Sequence, residues 1–371
     1  MPNLREITTE LNLRGRRVDV VKANTEATEP KTYWMEIAIP GDIMLREVFY
    51  GSTLDCLKAG LKLAAQLEFS TIPPYLVALW CVIDENHSVA RTLRSIVHEE
   101  MLHMALANNM LSAIGGVPQL TGSASPLYPG PLPGGVHPEL VVELSGLTDK
   151  TLEVFLEIER PLVRVPVENV EQPTPPEVDS TISEFYETVL RTLNELTPEF
   201  LTTRQIAGPL APMVISGPED CEKAVQLILT QGEGGHGVPF DTGAEDLAHY
   251  YRFLEVKLGH RLVWNETLRI LQKAEPVRTP SVYPVAAPPA QGWGRAAPPR
   301  IRWLSTEFNR LYSELLELLE QSWLEGGQRA YLGALERMFG MQELAREMIR
   351  TPGPGGAGYA PEFRYMSPEN R

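Results

Sequence analysis

Apolar residues fall into helical rhythm over two long stretches in the first third of the chain. Over residues 53–82, Leu54, Leu57, Leu61, Ala64 and Glu68 succeed one another at spacings of three and four, which marks one buried helix face. Pro73 and Pro74 sit in the same stretch and predict a kink or a break. Over residues 89–114, Leu93, Ile96, Glu100, His103, Ala107, Met110 and Ile114 keep that rhythm, and Gly115-Gly116-Val117-Pro118 predicts where it stops. Further helices are predicted over 152–159, 181–196, 218–231, 244–273, 305–324 and 327–350. Residues 4–13 read as a short helix, 33–40 as an extended segment and 140–144 as a short strand. Proline- and glycine-rich connections occupy 121–138, 170–178 and 276–299. No repeat of 20 to 50 residues is visible, and the pattern is mainly α with long irregular connections.

Three positions in this pattern break the apolar rule. Glu68 stands where the first helix calls for a leucine, and Glu100 and His103 take successive inward positions of the second, three apart and therefore on one face. Unpaired carboxylates on buried stripes cost several kcal/mol each, so they need a compensating charge, and a bound cation supplies it. A Glu on one helix and Glu-x-x-His on the next make one half of the ligand set of dimetal carboxylate bundles. The plainer reading makes Glu68 a surface residue and His103 a satisfied core histidine; the shared phase of all three favours metal. Glu99 and His98 fall off the stripe and are read as facing solvent or supporting the site from behind.

The residues leave the second half of the set open. Candidates are Glu184 and Glu187 in TISEFYETVL, Glu233 in LTQGEGGHG, and His236 or His249. Phase argues against Glu184, because Ile182, Phe185, Val189 and Leu193 define the opposite face. Glu233 and His236 repeat the E-x-x-H spacing, but the glycines between them make a continuous helix costly. Tyr186, Tyr250 and Tyr251 are read as packing residues before hydrogen-bond donors to the site, and Met101, Met104 and Met110 as core filler.

Composition narrows the chemistry. The 371 residues carry 33 Lys+Arg against 48 Asp+Glu, a formal charge of −15, which makes nucleic acid and anionic membrane poor partners. The longest apolar run, 72–83, contains two prolines and is too short to span a bilayer, and the charged N-terminus does not read as a signal peptide. Cys56, Cys81 and Cys221 are odd in number and form no CxxC, so neither a disulfide framework nor a thiolate zinc site is expected. A cytoplasmic protein is the expectation. No P-loop, GxGxxG or GxSxG motif is present.

The stretches LEFSTIPPYLVALW (67–80), HEEMLHMALANNMLSAIGGVPQL (98–120), TISEFYETVL (181–190), LTQGEG (229–234) and HYYRFLEV (249–256) resemble the ferritin-like domain of iminophenyl-pyruvate dimer synthases, the violacein- and rebeccamycin-type enzymes. FNRLYSELLELLEQSW (308–323) and GYAPEFRYM (358–366) are similar too. The resemblance implies a ferritin-like four-helix core elaborated by long Pro/Gly-rich loops and extra C-terminal helices. It implies Glu68, Glu100 and His103 as ligands, and it favours Glu184, Glu233 and His249 for the second half over His236. Those synthases are much larger chains, so their dimerising reaction does not transfer.

The resulting expectation is an N-terminal extension (1–50), a metal-binding helical domain (51–273), a Pro-rich strap (274–300) and a helical hairpin with tail (301–371). Hard oxygen donors with imidazole suit two iron ions, or manganese or a mixed pair, and no catalytic group beyond the ligands is required. The expected activity is that of a non-haem di-iron oxidase or oxygenase acting with O2 on a small amino-acid-derived or aromatic intermediate of specialised metabolism. The 121–138 and 276–299 loops would wall its pocket, and a homodimer is admitted. The alternatives are a ferritin-like iron-binding protein without small-molecule turnover, a zinc-type lyase or hydrolase, and a metal-free scaffold whose glutamates pair with arginines such as Arg252.

Overall fold

The computed structural model describes the backbone of 6–13, 16–23, 32–37, 45–50 and 53–371, apart from 138, 162, 171–181, 209–212, 235–237 and 242–245. Side chains are described from residue 54 onward, except at those positions and at 182–185 and 354. The fold is mainly helical. Helix α1 (Thr53–Trp80) and helix α2 (Ser88–Ala113) form a hairpin at the centre. Helices α4 (Ile182–Leu196) and α5 (Pro218–Gly232) pack on one side of it, around Leu57, Leu61, Met110, Tyr186, Val189 and Ile228. On another side packs the C-terminal hairpin of α7 (Pro299–Glu325) and α8 (Gln328–Arg350), through Trp80, Phe308, Tyr312 and Trp323. Helices α3 (Asp149–Ile158) and α6 (His249–Leu258) pair with each other and close the end of the bundle, where Phe155 and Phe253 meet Tyr75 of α1.

Helix α1 runs unbroken through Pro73 and Pro74, contrary to a full break. A proline at position 74 removes the N–H that the Ser70 carbonyl would accept. The Tyr128 hydroxyl, from the 121–138 connection, donates to that carbonyl at 2.6 Å instead. The helical bond lost at Pro74 is replaced from outside the helix.

The predicted helix over 244–273 is the largest local departure. It holds only α6, which stops at Gly259 (φ +65), a left-handed cap that glycine adopts without strain. The chain then turns back as an antiparallel hairpin of β5 (His260–Asn265) and β6 (Ile270–Pro276). Nearer the N-terminus, the expected helix over 4–13 is instead strand β1 (Glu6–Leu13). It pairs in an antiparallel meander with β2 (Arg16–Ala23), β3 (Thr32–Ile37) and β4 (Leu45–Tyr50); EITTELNL alternates with period two, which suits a strand better than a helix. The expected strand over 140–144 is a single bridge from Val142 to Gly130. The 276–299 strap packs on the C-terminal tail, with β7 (Val285–Ala286) parallel to β8 (Gly358–Tyr359) and the Trp293 indole donating to the Ala360 carbonyl.

Candidate metal centre

Five elements bring buried acidic or imidazole groups together. Glu68 comes from α1, Glu100 and His103 from α2, Glu159 from the residue after α3, Glu233 from the end of α5, and His249 from the first turn of α6. Fractional exposures are 5% for Glu68, 2% for Glu100, 1% for His103, 5% for Glu159, 8% for Glu233 and 0% for His249. Two overlapping groups have donor atoms within 4.8 Å of one another: Glu68, Glu100 and His103, and Glu100, Glu159 and His249.

Each of the three carboxylates has one oxygen held by a hydroxyl donor and the other facing inward. Tyr186 donates to Glu68 Oε1 at 2.7 Å, Tyr75 donates to Glu159 Oε1 at 2.7 Å, and Thr71 donates to Glu100 Oε2. The remaining oxygens converge on the two histidines. His103 Nδ1 lies 3.5 Å from Glu68 Oε2 and 3.5 Å from Glu100 Oε1. His249 Nδ1 lies 2.9 Å from Glu100 Oε1 and 3.6 Å from Glu159 Oε2. Glu100 Oε1 is therefore shared between two matching sets.

The far nitrogens fix which way the imidazoles can act. Gln231 donates its amide N–H to Asp241 at 3.2 Å, so its oxygen must accept from His103 Nε2 at 2.8 Å. Glu99 accepts from His249 Nε2 at 2.8 Å and is itself clamped by Arg252. With Nε2 carrying hydrogen in both rings, both Nδ1 lone pairs point at carboxylate oxygens, which repel them unless a cation lies between. His249 Nδ1 makes no well-angled hydrogen bond despite complete burial.

Protonation points the same way. Burial works against charge on His103, but Glu100 and Glu68 raise its pKa to about 10. Burial also opposes charge on His249, yet Glu159, Glu100 and Glu99 push its pKa well above the ordinary range. Glu100 stays ionised down to about 2, because the two imidazoles outweigh its burial. Glu159 is raised by burial first and by the Glu100 charge second. The site attracts positive charge, as protons or as metal.

The residue types fit a metal pair. All inward donors are carboxylate oxygen or imidazole nitrogen, and no cysteine belongs to either group, which suits hard divalent ions rather than copper(I). Leu67, Leu132, Ile158, Ile228 and Leu229 line the rest of the cavity, whose interior has room for roughly one or two water-sized bodies.

The ferritin-like family profile matches residues 61–258, more than half of the chain. This chain belongs to the ferritin-like family. A solved structure of a ferritin-like protein from Caulobacter vibrioides is similar in fold, with a TM-score of 0.60 and 21% sequence identity over 84% of this chain and 97% of that one. No curated protein matches the chain.

In this ferritin-like chain Glu68, Glu100 and His103 form one donor group, His249 joins Glu100 in the other, and Glu233 lines the cavity beside the first. Glu184 lies on the backbone of α4, but its side chain is outside the described residues, as is His236 altogether. Sequence reasoning missed Glu159. Its signal was present: Leu152, Phe155 and Glu159 keep the same three-and-four rhythm that singles out Glu68. Tyr186 is not merely a packing residue, since its hydroxyl holds Glu68. Glu99 does not face solvent freely, since it ties His249 to Arg252. Arg252 pairs with Glu99 and with neither Glu68 nor Glu100, so it does not neutralise the inward carboxylates. Of the two loops expected to wall the pocket, 121–138 contributes Leu132, whereas the 276–299 strap contributes none of the lining residues.

Proposed function

We propose that this chain is a non-haem di-iron protein that uses O2 to oxidise a small organic molecule. The observation that carries the reading is the shared Glu100 oxygen between two buried sets, each with its own carboxylate and its own Nδ1. One ion would be held by Glu68, His103 and Glu100, the other by Glu159, His249 and Glu100, with Glu233 within the same cavity. Four carboxylates would balance two divalent ions.

Bound there, a redox-active pair would supply two electrons to O2 together. The chain's own groups set the conditions. Tyr186, Tyr75 and Thr71 hold one oxygen of each carboxylate in place, so that the inward oxygens keep their aim. The aliphatic wall of Leu67, Leu132, Ile158, Ile228 and Leu229 keeps bulk water away. The resemblance to iminophenyl-pyruvate dimer synthases supports an amino-acid-derived or aromatic substrate. No helix among the described residues is long and apolar enough to cross a membrane.

The tightness of the cavity favours a second reading, in which ferrous iron itself is what the protein oxidises and no organic molecule turns over. One experiment orders these readings. The chelated protein is loaded anaerobically with ferrous iron, its iron counted, and then mixed with air while O2 uptake and the near-ultraviolet spectrum are followed. Two irons per chain and stoichiometric O2 uptake support the di-iron reading. Zinc bound in preference, with no O2 uptake by the iron-loaded form, would point to lyase or hydrolase chemistry and overturn it. Continued oxidation of excess ferrous iron by a shell-sized assembly on gel filtration would select the iron-handling reading.

A further inference from the structure

A second cavity lies on a different face of the central hairpin, between α1–α2 and the α7–α8 hairpin. On α1 it is lined by Phe69, Ile72 and Leu76, and on α2 by Met101 and Met104. Phe69 and Met101 lie about 100° round their helices from Glu68 and Glu100, Leu76 about 80°, and Ile72 and Met104 about 40°, and this space shares no lining residue with the metal-centre cavity. Its volume is about 80 Å³, room for several water-sized bodies, and it opens to one side. Every lining side chain is aliphatic, aromatic or a thioether, none is charged, and the polar groups among them are the Tyr312 and Tyr331 hydroxyls and the Trp80 and Trp323 indole N–H groups.

We infer that this cavity is a binding site for one uncharged, apolar small molecule, distinct from whatever the metal centre acts on. Protein interiors close-pack, and voids larger than a water are few, so a space of this size among apolar walls is a site rather than ordinary packing slack. Apolar cavities stay dry and take apolar guests. Part of the wall is fixed: Trp80 stacks on Phe363 with planes 11° apart, and the Trp323 indole donates to Asn109 Oδ1 at 2.9 Å, away from the space. Another part is adaptable. Met101 and Met104 on one side and Met338 and Met341 on the other are unbranched thioethers that can re-pack around guests of different outline.

The charge of the guest follows from the same wall. A carboxylate or ammonium head would lose its hydration with no charged partner among the lining residues to replace it, and the chain's formal charge of −15 further disfavours an anionic guest. The Leu335 and Met338 side chains on α8 are only half-buried, which places the way in on the α8 side.

The test uses N-phenyl-1-naphthylamine, a neutral fluorescent probe, titrated into the full chain in chelated and in iron-loaded form. The expected result is saturable binding of one probe per chain, quenching of tryptophan emission, equal affinity in both forms, and displacement by naphthalene but not by palmitate. Ala334→Phe fills the space from a buried wall position and should weaken binding roughly tenfold or more with iron content unchanged. Met338→Trp, made at a half-buried position, should do the same and decides the matter should Ala334→Phe fail to fold. Unsaturable binding, displacement by palmitate as readily as by naphthalene, or unchanged affinity in Met338→Trp would overturn the inference. Because the probe is read without iron, failure of the di-iron reading leaves this result standing, and the reverse also holds.

Discussion

His103 and His249 stack with ring centroids 5.5 Å apart and planes 25° from parallel, and both turn Nδ1 toward the same oxygen of Glu100. The two rings reach that oxygen from different helices, α2 and α6, that lie far apart in sequence. Each ring is aimed from behind by a hydrogen-bond acceptor, Gln231 for one and Glu99 for the other.

Because both sets share Glu100, its removal should empty the whole centre. Glu100→Ala is expected to bind neither ion and to leave two imidazoles without their common partner, with a lower melting temperature. Elemental analysis after ferrous loading checks it. Unchanged iron content in a folded Glu100→Ala protein would mean that the ions sit elsewhere.

Glu159 and Glu184 make competing claims on the second ion. Glu159 Oε2 lies 3.6 Å from His249 Nδ1, so Glu159→Gln should bring bound iron from about two per chain to about one. Glu184→Gln should leave the count alone. The opposite pair of results would restore Glu184 as the ligand.

Glu99 acts through His249 rather than on a metal. Losing the carboxylate that orients a ligating histidine typically weakens metal affinity by about 10- to 100-fold. Glu99→Ala should therefore raise the dissociation constant for one ion by that factor while the other is little changed, read by competition with a chelating dye. Equal weakening of both ions would show a general loss of structure instead.

The pH response differs in sign between the chelated and loaded proteins. In chelated protein the raised pKa of His103 contributes stability that is fully present below its ordinary value near 6.5. That contribution is lost as pH rises through about 10. Glu100 contributes stability above its ordinary range that is lost as pH falls through about 2. Metal competes with those imidazole protons, so metal affinity should rise with pH over the interval in which chelated protein weakens. Urea melts of the chelated form from pH 6 to 10.5, beside metal titrations at the same values, measure both slopes. Affinity that falls over this range would exclude the histidines as ligands.

Tyr128→Phe tests the repair at the paired prolines. It leaves the Ser70 carbonyl buried without its donor, which should cost about 1–3 kcal/mol of unfolding free energy. A denaturant melt with no change in midpoint would show that another group takes over.

Much of this architecture was written in local pattern. The rhythm of three and four set the span of α2 to within a residue and put Glu68, Glu100 and His103 on buried faces. The same rhythm reached Glu159 as well, at the end of the short helix expected over 152–159. The long helix expected over 244–273 failed for a different reason. One glycine, Gly259, takes a left-handed turn there, and the residues beyond it carry enough leucine and lysine to mimic helical phase while pairing as a hairpin.

Taken alone, the sequence determined that acidic groups lie on inward faces, because helical phase is a property of neighbours three and four residues apart. Which of those groups meet was decided only by the tertiary structure. Glu99 lies off its helix stripe and Tyr75 is one buried aromatic among many; each acquires its role when α3 and α6 close over the end of the hairpin and set His249 and Glu159 against them. Contacts across 150 and 84 residues of chain depend on how whole helices pack, and no local spacing encodes that.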